Sequence, residues 1–269
     1  MRVVLIGAGR LATNLGKALC CAGHDIVAVY SRTMEAATML ANTIGGQPVN
    51  SIESLPFSAD VFLIALKDSV LTDIIPLLTK GREEQLFAHT AGSMPLSLFA
   101  DKCSRYGVFY PMQSFSKERE VNFSEIPVFL EANDAATLDV LKTLAQSVSS
   151  RVYELSTQDR KYLHLAAVFA CNFANHCYAL AADVLEAHGL PFDVMLPLID
   201  ETARKVHQLH PKDAQTGPAV RYDENVISRQ RQLLAERPDI QRLYDLLSQS
   251  IHEKELEKRD VRCEKFEKL

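Results

Sequence analysis

The sequence predicts an α/β fold: a doubly wound parallel sheet followed by an all-helical half. Three observations carry that reading. The first 155 residues alternate short, β-branched apolar runs with segments of helical spacing, the pattern of a parallel sheet covered on both faces. Gly7-Ala8-Gly9-Arg10-Leu11-Ala12 stands between the first apolar run and the first helical segment. After Ser156 the strand-like runs cease and helical spacing continues.

The elements follow in order. Arg2–Ile6 is an apolar strand, Leu11–Ala22 a helix, Ile26–Tyr30 a second strand and Met34–Thr43 a second helix. Val61–Leu66 and Ser69–Thr79 repeat the unit, as do Leu86–His89 and Pro95–Lys102. Gly107–Tyr110, Val128–Glu131 and Val152–Leu155 complete the strands, with Ala135–Ser147 helical between the last two. From Thr157 to about His188 one long helix runs without Gly or Pro, and Gly189-Leu190-Pro191 ends it, as a C-terminal Gly and a following Pro do. Phe192–His210, Asn225–Glu236 and Asp239–Ser250 read as further helices, and Glu253–Leu269, dense in both charge signs, as a solvated helix or frayed tail. The expected domains are residues 1–155 and 156–269.

Composition narrows the functions. The 269 residues carry 29 Lys+Arg against 34 Asp+Glu, a net charge of −5, with 47% hydrophobic residues. That excludes disorder as the main state and argues against a nucleic-acid partner, which needs a basic surface. No unbroken run of about 18 apolar residues is present, so no membrane span is expected. The chain opens on a buried strand with no secretory pattern, which points to the cytoplasm. Six scattered cysteines (Cys20, Cys21, Cys103, Cys171, Cys177, Cys263) form no C-x-x-C pair and read as free, reduced thiols without a metal role.

The glycine motif carries the chemistry. Gly7 permits a tight turn, Gly9 lets backbone approach a pyrophosphate, and Ala12 permits close helix–strand packing. The following helix offers N–H groups and a positive dipole end to phosphates, with Ala8, Arg10 and Leu11 lining the turn. At the end of the second strand an NAD site usually carries Asp or Glu. Here Ser31-Arg32-Thr33 stands instead, a guanidinium and two hydroxyls suited to a 2′-phosphate, so NADP is the expected cofactor. Ligands in such sheets sit beyond the strands' carboxyl ends. That places Ala65, Lys67, Asp68, His89, Thr90 and Ser93 beside the cofactor, with Asp68 read as a helix cap and His89 as either catalytic or a turn-orienting residue.

A hydride-transfer site also needs a substrate cleft and a proton donor. Gln113 and Ser114 follow another strand. On the long helix His164, Val168, Asn172, Asn175 and His176 share one face at 3.6 residues per turn. His164 is the preferred donor, with Asn172 beside it and Asn175 toward the substrate; a neighbouring carboxylate or burial would tune the imidazole. A polar seam between helices is the alternative for that stripe. Arg221, after Thr216-Gly217-Pro218, is placed either as a clamp on a substrate anion or as the partner of Asp223.

At these residues the sequence resembles a group of Rossmann-like proteins whose helical C-terminal half is catalogued as domain of unknown function 2520. The resemblance rests on Gly7–Ala12, His89–Ser93, Tyr110–Phe115, His164–Phe173 and Thr216–Arg221, and extends to about residue 250. It implies an N-terminal NADP-type domain, a C-terminal bundle similar to the dimerising half of pyrroline-5-carboxylate reductases, and a homodimer. The wider relatives include β-hydroxyacid dehydrogenases, which use a lysine four residues before an asparagine on the corresponding helix. Val168 stands there, with His164 one turn earlier and Lys161 further back. The expectation is an NADP-dependent oxidoreductase acting on a small anionic carbonyl or imine. The alternative is a non-catalytic NADP-binding sensor or scaffold dimer, which would leave NADPH absorbance unchanged.

Overall fold

The computed structural model describes residues 1–116 and 119–266, with side chains to residue 259. Among them eight strands form one sheet in the order β3-β2-β1-β4-β5-β6-β7-β8. They are β1 (Arg2–Ile6), β2 (Asp25–Tyr30), β3 (Gln47–Val49), β4 (Val61–Ile64), β5 (Leu86–His89), β6 (Arg105–Pro111), β7 (Val128–Ala132) and β8 (Val152–Glu154). Neighbours pair in parallel except β6 and β7. Between those two the chain forms only a 3-10 turn, Phe123–Glu125, among the described residues. Without a crossover helix the strand returns antiparallel. β3 is an edge strand of three residues carrying Pro48, too short for a periodic signal.

The helices of this region are α1 (Arg10–Cys21), α2 (Met34–Ile44), α3 (Asp68–Thr79) and α4 (Ala135–Val148). Alternation along β1 divides the core between the two faces. Val3 and Leu5 pack with Ala12, Leu15 and Leu19 of α1, Leu40 and Ile44 of α2, and Leu141 and Leu144 of α4. Val4 and Ile6 pack with Leu71, Ile75 and Leu78 of α3 and with Phe99. The sequence-based helix Pro95–Lys102 is instead a 3-10 turn, Leu96–Phe99, ended where Asp101 takes a left-handed φ of 61°.

The long helix is three pieces: α5 (Thr157–Ala167), a π-helical segment Val168–Phe173, and α6 (Ala174–Glu186). By length and composition Thr157–Glu186 would suffice to cross a membrane, with a mean hydropathy of 1.3 over its most apolar window. It passes despite having no unbroken apolar run, because residues 162–182 contain no Asp, Glu, Lys or Arg.

The chain divides into two compact units, Met1–Tyr178 and the remainder from Ala179. The last strand of the sheet ends at Glu154, whereas the division between the units falls after Tyr178, within α6. In the second unit α7 (Leu196–Gln208), α8 (Pro211–Ala214), α9 (Pro218–Arg221), α10 (Glu224–Leu233) and α11 (Pro238–Phe266) follow α6. Ion pairs Arg231–Asp245 at 3.0 Å and Lys258–Asp213 at 2.7 Å link them. Little of this unit is buried: among its described residues only Ala219, Ile240 and Ser248 are. Leu190, Val194, Leu198 and Leu246 are all more than half exposed. Of the charged tail, 267–269 lie outside the described residues, as does the side chain of Cys263.

Candidate functional site

The glycine loop sits where β1 meets β4, at the reversal of strand order, the usual place for a ligand in an open α/β sheet. Gly7 has φ +122°, and a Cβ there would collide with the Ala65 carbonyl oxygen. A Cβ on Gly9 would meet nothing within 4 Å. α1 starts at this residue with no side-chain cap and no acidic group in its first turn. Its leading N–H groups thus have no side-chain acceptor, and free space lies beside them. A dinucleotide pyrophosphate fits that arrangement. Ala8 and Leu11 pack on the core, so they offer backbone rather than side chain, while Arg10 is exposed.

At the end of β2, Thr33 caps α2 by accepting from the Ala36 N–H. Ser31 is half-buried, and Arg32 is exposed with no ion pair among the described residues. Glu35 stands in the first turn of α2, three residues after Arg32, and forms no ion pair with it among the described residues.

The next strand ends depart from the sequence reading in three ways. Asp68 does not cap α3: Lys67 is the N-cap, without a side-chain bond, and the Asp68 carboxylate accepts from the Ser93 hydroxyl. The Thr90 hydroxyl is buried and donates to the Ile64 carbonyl, so it braces β4 against β5 instead of facing a ligand. His89 is wholly buried and stacks on Phe99. Its Nδ1 accepts from the Ala91 N–H at 3.2 Å and its Nε2 lies 3.4 Å from the Pro95 carbonyl. Burial, aided by Arg160, lowers its pKa to about 4. A neutral, enclosed ring with both nitrogens engaged holds the turn, and His89 leaves the catalytic set.

A cleft of about 520 Å³ brings together four of the predicted residues: Gln113, Ser114, His164 and Asn172. Tyr110, Met112 and Cys171 also line it. His164 Nδ1 lies 3.1 Å from the Tyr110 hydroxyl. Of the two expected influences on the imidazole, a neighbouring carboxylate or burial, neither is what the hydrogen bond supplies: the partner is a phenol. Burial pushes the Tyr110 pKa up, Asp68 adds to the rise and Arg160 opposes it. Gly92 lies under the pair: a Cβ there would stand 2.7 Å from both His164 Nδ1 and Tyr110 Cζ. A larger depression of about 670 Å³ beside α1, lined by Lys17, Thr43 and Ser147, contains none of the predicted site residues.

The π segment explains which helix residues reach the cleft. It adds one residue to the turn and rotates everything after it relative to a 3.6-residue spiral. Val168 and Asn172 lie within the segment and line the cleft, whereas Asn175 and His176 follow it and do not. The single-face reading of all five residues fails for that reason.

Two supports were missed by the sequence reading. Asn14 donates to the Arg10 and Ser116 carbonyls, both at 2.9 Å, and so ties the loop after Gln113-Ser114 to α1. Arg160 is 1% exposed, pairs with Glu131 at 2.5 Å and donates to the Met94 carbonyl at 2.7 Å. Glu131 also accepts from the N–H and hydroxyl of Thr157. Together they fix the first turn of α5, one turn before His164. The signal was there only in part, since a lone Glu on one strand does not announce an Arg 29 residues later. Arg221 belongs to the second unit, on the short α9, and is exposed. It does not pair with Asp223, which caps α10 through the Val226 N–H.

The sheet and the glycine loop at its switch point define a Rossmann-type α/β protein with a helical C-terminal half. A Rossmann-like domain model matches residues 1–108, and the model of domain of unknown function DUF2520 matches residues 126–251. A candidate NADP oxidoreductase from Bacteroides fragilis is 55% identical, with a TM-score of 0.90 over 94% of this chain and 98% of that one. The chain belongs to this family of Rossmann-like proteins with a DUF2520 C-terminal domain. At fold level it is also similar to an imine reductase from Myxococcus stipitatus solved with NAD+, at 16% identity and TM-score 0.60 over 94% and 92% of the two chains. A pyrroline-5-carboxylate reductase from Coxiella burnetii gives 17% identity and TM-score 0.58 over 95% and 97%. A search of curated proteins returned no match.

Proposed function

We propose that this chain is an NADP-dependent oxidoreductase that moves a hydride to or from a small anionic carbonyl or imine. The observation that carries the proposal is the cleft uniting Gln113 and Ser114, after β6, with His164 and Asn172 of the long helix. The cofactor would be held by the backbone of Gly7–Leu11, with Ser31 and Arg32 toward a 2′-phosphate and Ala65 and Lys67 at the β4 end. When bound, it supplies the hydride. The chain's own part is to orient the acceptor and donate to its heteroatom, the role of His164, with Asn172, Gln113 and Ser114 as positioning contacts. Ser93, held by Asp68, stands at the substrate side. The 55% identical relative described as an NADP oxidoreductase supports the cofactor, and the imine and pyrroline-5-carboxylate reductases suggest the substrate class.

The proposal includes a homodimer through the helical half. Its support is the set of exposed apolar side chains on α6 to α11; sedimentation would find twice the 30.0 kDa chain mass. A cytoplasmic setting accords with the free thiols among the described cysteines. The first test is titration with NADPH and NADH by nucleotide fluorescence, then NADPH consumption across a carbonyl and imine panel. Preferential NADPH binding with turnover supports the reading; binding without turnover of any member favours the sensor alternative, to which Val168 in the lysine position lends weight. Failure to bind either nucleotide refutes both.

A further inference from the structure

A donor on His164 depends on which ring nitrogen holds the proton, and the residue type leaves that open. Tyr110 bears on it. Among the described residues the Tyr110 hydroxyl has one hydrogen-bond partner, His164 Nδ1 at 3.1 Å, and the ring has no other. A phenol carries one O–H, and a buried one leaves it unused at a cost. Tyr110 is 8% exposed. Burial pushes its pKa up, and of the charged groups facing it Asp68 reinforces that and Arg160 opposes it. The phenol therefore keeps its proton at neutral pH and donates it to Nδ1. Nδ1 accepts, and in the neutral ring the proton sits on Nε2.

We propose that Tyr110 is a positioning residue that locks His164 in the Nε2–H tautomer, so that the ring presents a hydrogen-bond donor to the cleft. The inference rests on the reading of His164 as the donor and adds which nitrogen donates. A carbonyl oxygen or imine nitrogen has a lone pair for an Nε2–H, and that hydrogen bond orients and polarises the acceptor. Gly92 belongs to the device, since any side chain there would press on both rings.

The test needs no substrate. In the full-length protein labelled with 15N-histidine, a two-bond proton–nitrogen correlation spectrum in mildly alkaline buffer reports the tautomer of each of the 8 histidines. His164→Gln identifies the His164 signals by their loss. The expected wild-type pattern is a protonated Nε2 and an unprotonated, hydrogen-bonded Nδ1; Tyr110→Phe should give a mixture with a visible Nδ1–H fraction. An Nδ1–H ring in the wild type, or an unchanged pattern in Tyr110→Phe, overturns the proposal. The wild-type spectrum alone decides it if the variant does not fold. Where a panel substrate is reduced, Tyr110→Phe should lower kcat about tenfold with KM within about twofold. A locked tautomer in a protein that reduces nothing leaves Tyr110's role standing and sinks only the reductase reading.

Discussion

Glu131→Ala should be the most damaging single change on the sheet side of the cleft. The Arg160 side chain is 1% exposed and its Nη1 lies 2.5 Å from Glu131 Oε2. Its other partners are neutral: the Met94 carbonyl at 2.7 Å and the Thr157 hydroxyl at 3.2 Å, while Nε has none. Removing the carboxylate leaves a buried guanidinium without its counter-charge and strips Thr157 of two hydrogen bonds at 2.8 and 2.7 Å. Breaking a buried pair on one side costs roughly 3–5 kcal/mol. At a urea slope of about 2 kcal/mol/M that lowers the midpoint by roughly 1.5–2.5 M. Tyrosine fluorescence can follow the transition, since the chain has 8 Tyr and no Trp. The double variant Glu131→Met/Arg160→Met, which removes both charges, should be milder than Glu131→Ala. A midpoint drop below about 0.5 M for Glu131→Ala, or a double variant worse than the single, would refute the reasoning. The pH dependence checks it separately. Burial alone would raise the Glu131 carboxyl, but hydrogen bonds from Arg160 and Thr157 outweigh it and hold the pKa below the ordinary value. A depressed carboxylate stabilises the fold above its unfolded pKa and loses that contribution as pH falls through the folded value. Glu131→Ala should lack that acid loss.

Other perturbations separate the remaining roles. Gly7→Ala, forced against the Ala65 carbonyl at φ +122°, should abolish NADPH binding in the fluorescence titration; retained affinity would detach the loop from the cofactor. Arg32→Ala should weaken NADPH by roughly tenfold to a hundredfold, the loss of a charge-assisted bond, and leave NADH within about twofold; equal loss for both nucleotides would remove Arg32 from 2′-phosphate recognition. For His89, the gap between an ordinary 6.5 and about 4 corresponds to roughly 3 kcal/mol of stability. The native ring stays neutral while the unfolded one takes a proton, so this is lost as pH falls from 6.5 toward 4. His89→Gln should flatten the melting temperature over that window, above the range where Glu131 acts; an unchanged slope would mean the ring titrates normally.

The parallel sheet was legible because its central strands are short apolar runs buried on both faces, as Val3–Ile6 and Phe62–Ile64 are. The glycine loop was legible because its constraints act on neighbouring residues: Gly7 on a turn, Gly9 on a helix start. What stayed hidden depends on contacts distant in sequence. Asp68 finds Ser93 across 25 residues, and Tyr110 finds His164 across 54. Neither spacing has a local periodicity. His89 was ambiguous for a related reason: an apolar strand ending in His looks the same whether its ring turns to a ligand or, as here, to the Ala91 N–H and Phe99.

The π segment links the two demands placed on the long helix. The helix carries exposed apolar groups, Leu165, Phe169 and Phe173 at 52%, 63% and 50%, and also the polar groups His164 and Asn172 that line the cleft. In a regular helix residues eight apart are rotated by about 80° from each other, so His164 and Asn172 would stand toward opposite edges of one face. The extra residue per turn between Val168 and Phe173 changes that rotation within the span separating them. Both then line one cleft, at the cost of carrying Asn175 and His176 away from it. A helix read only as an apolar period accounts for the exposed face and misses the cleft, whereas the cleft requires the irregularity. Such π turns recur at functional sites, and this one begins four residues after His164 and contains Asn172, the two residues on which the proposed chemistry depends most.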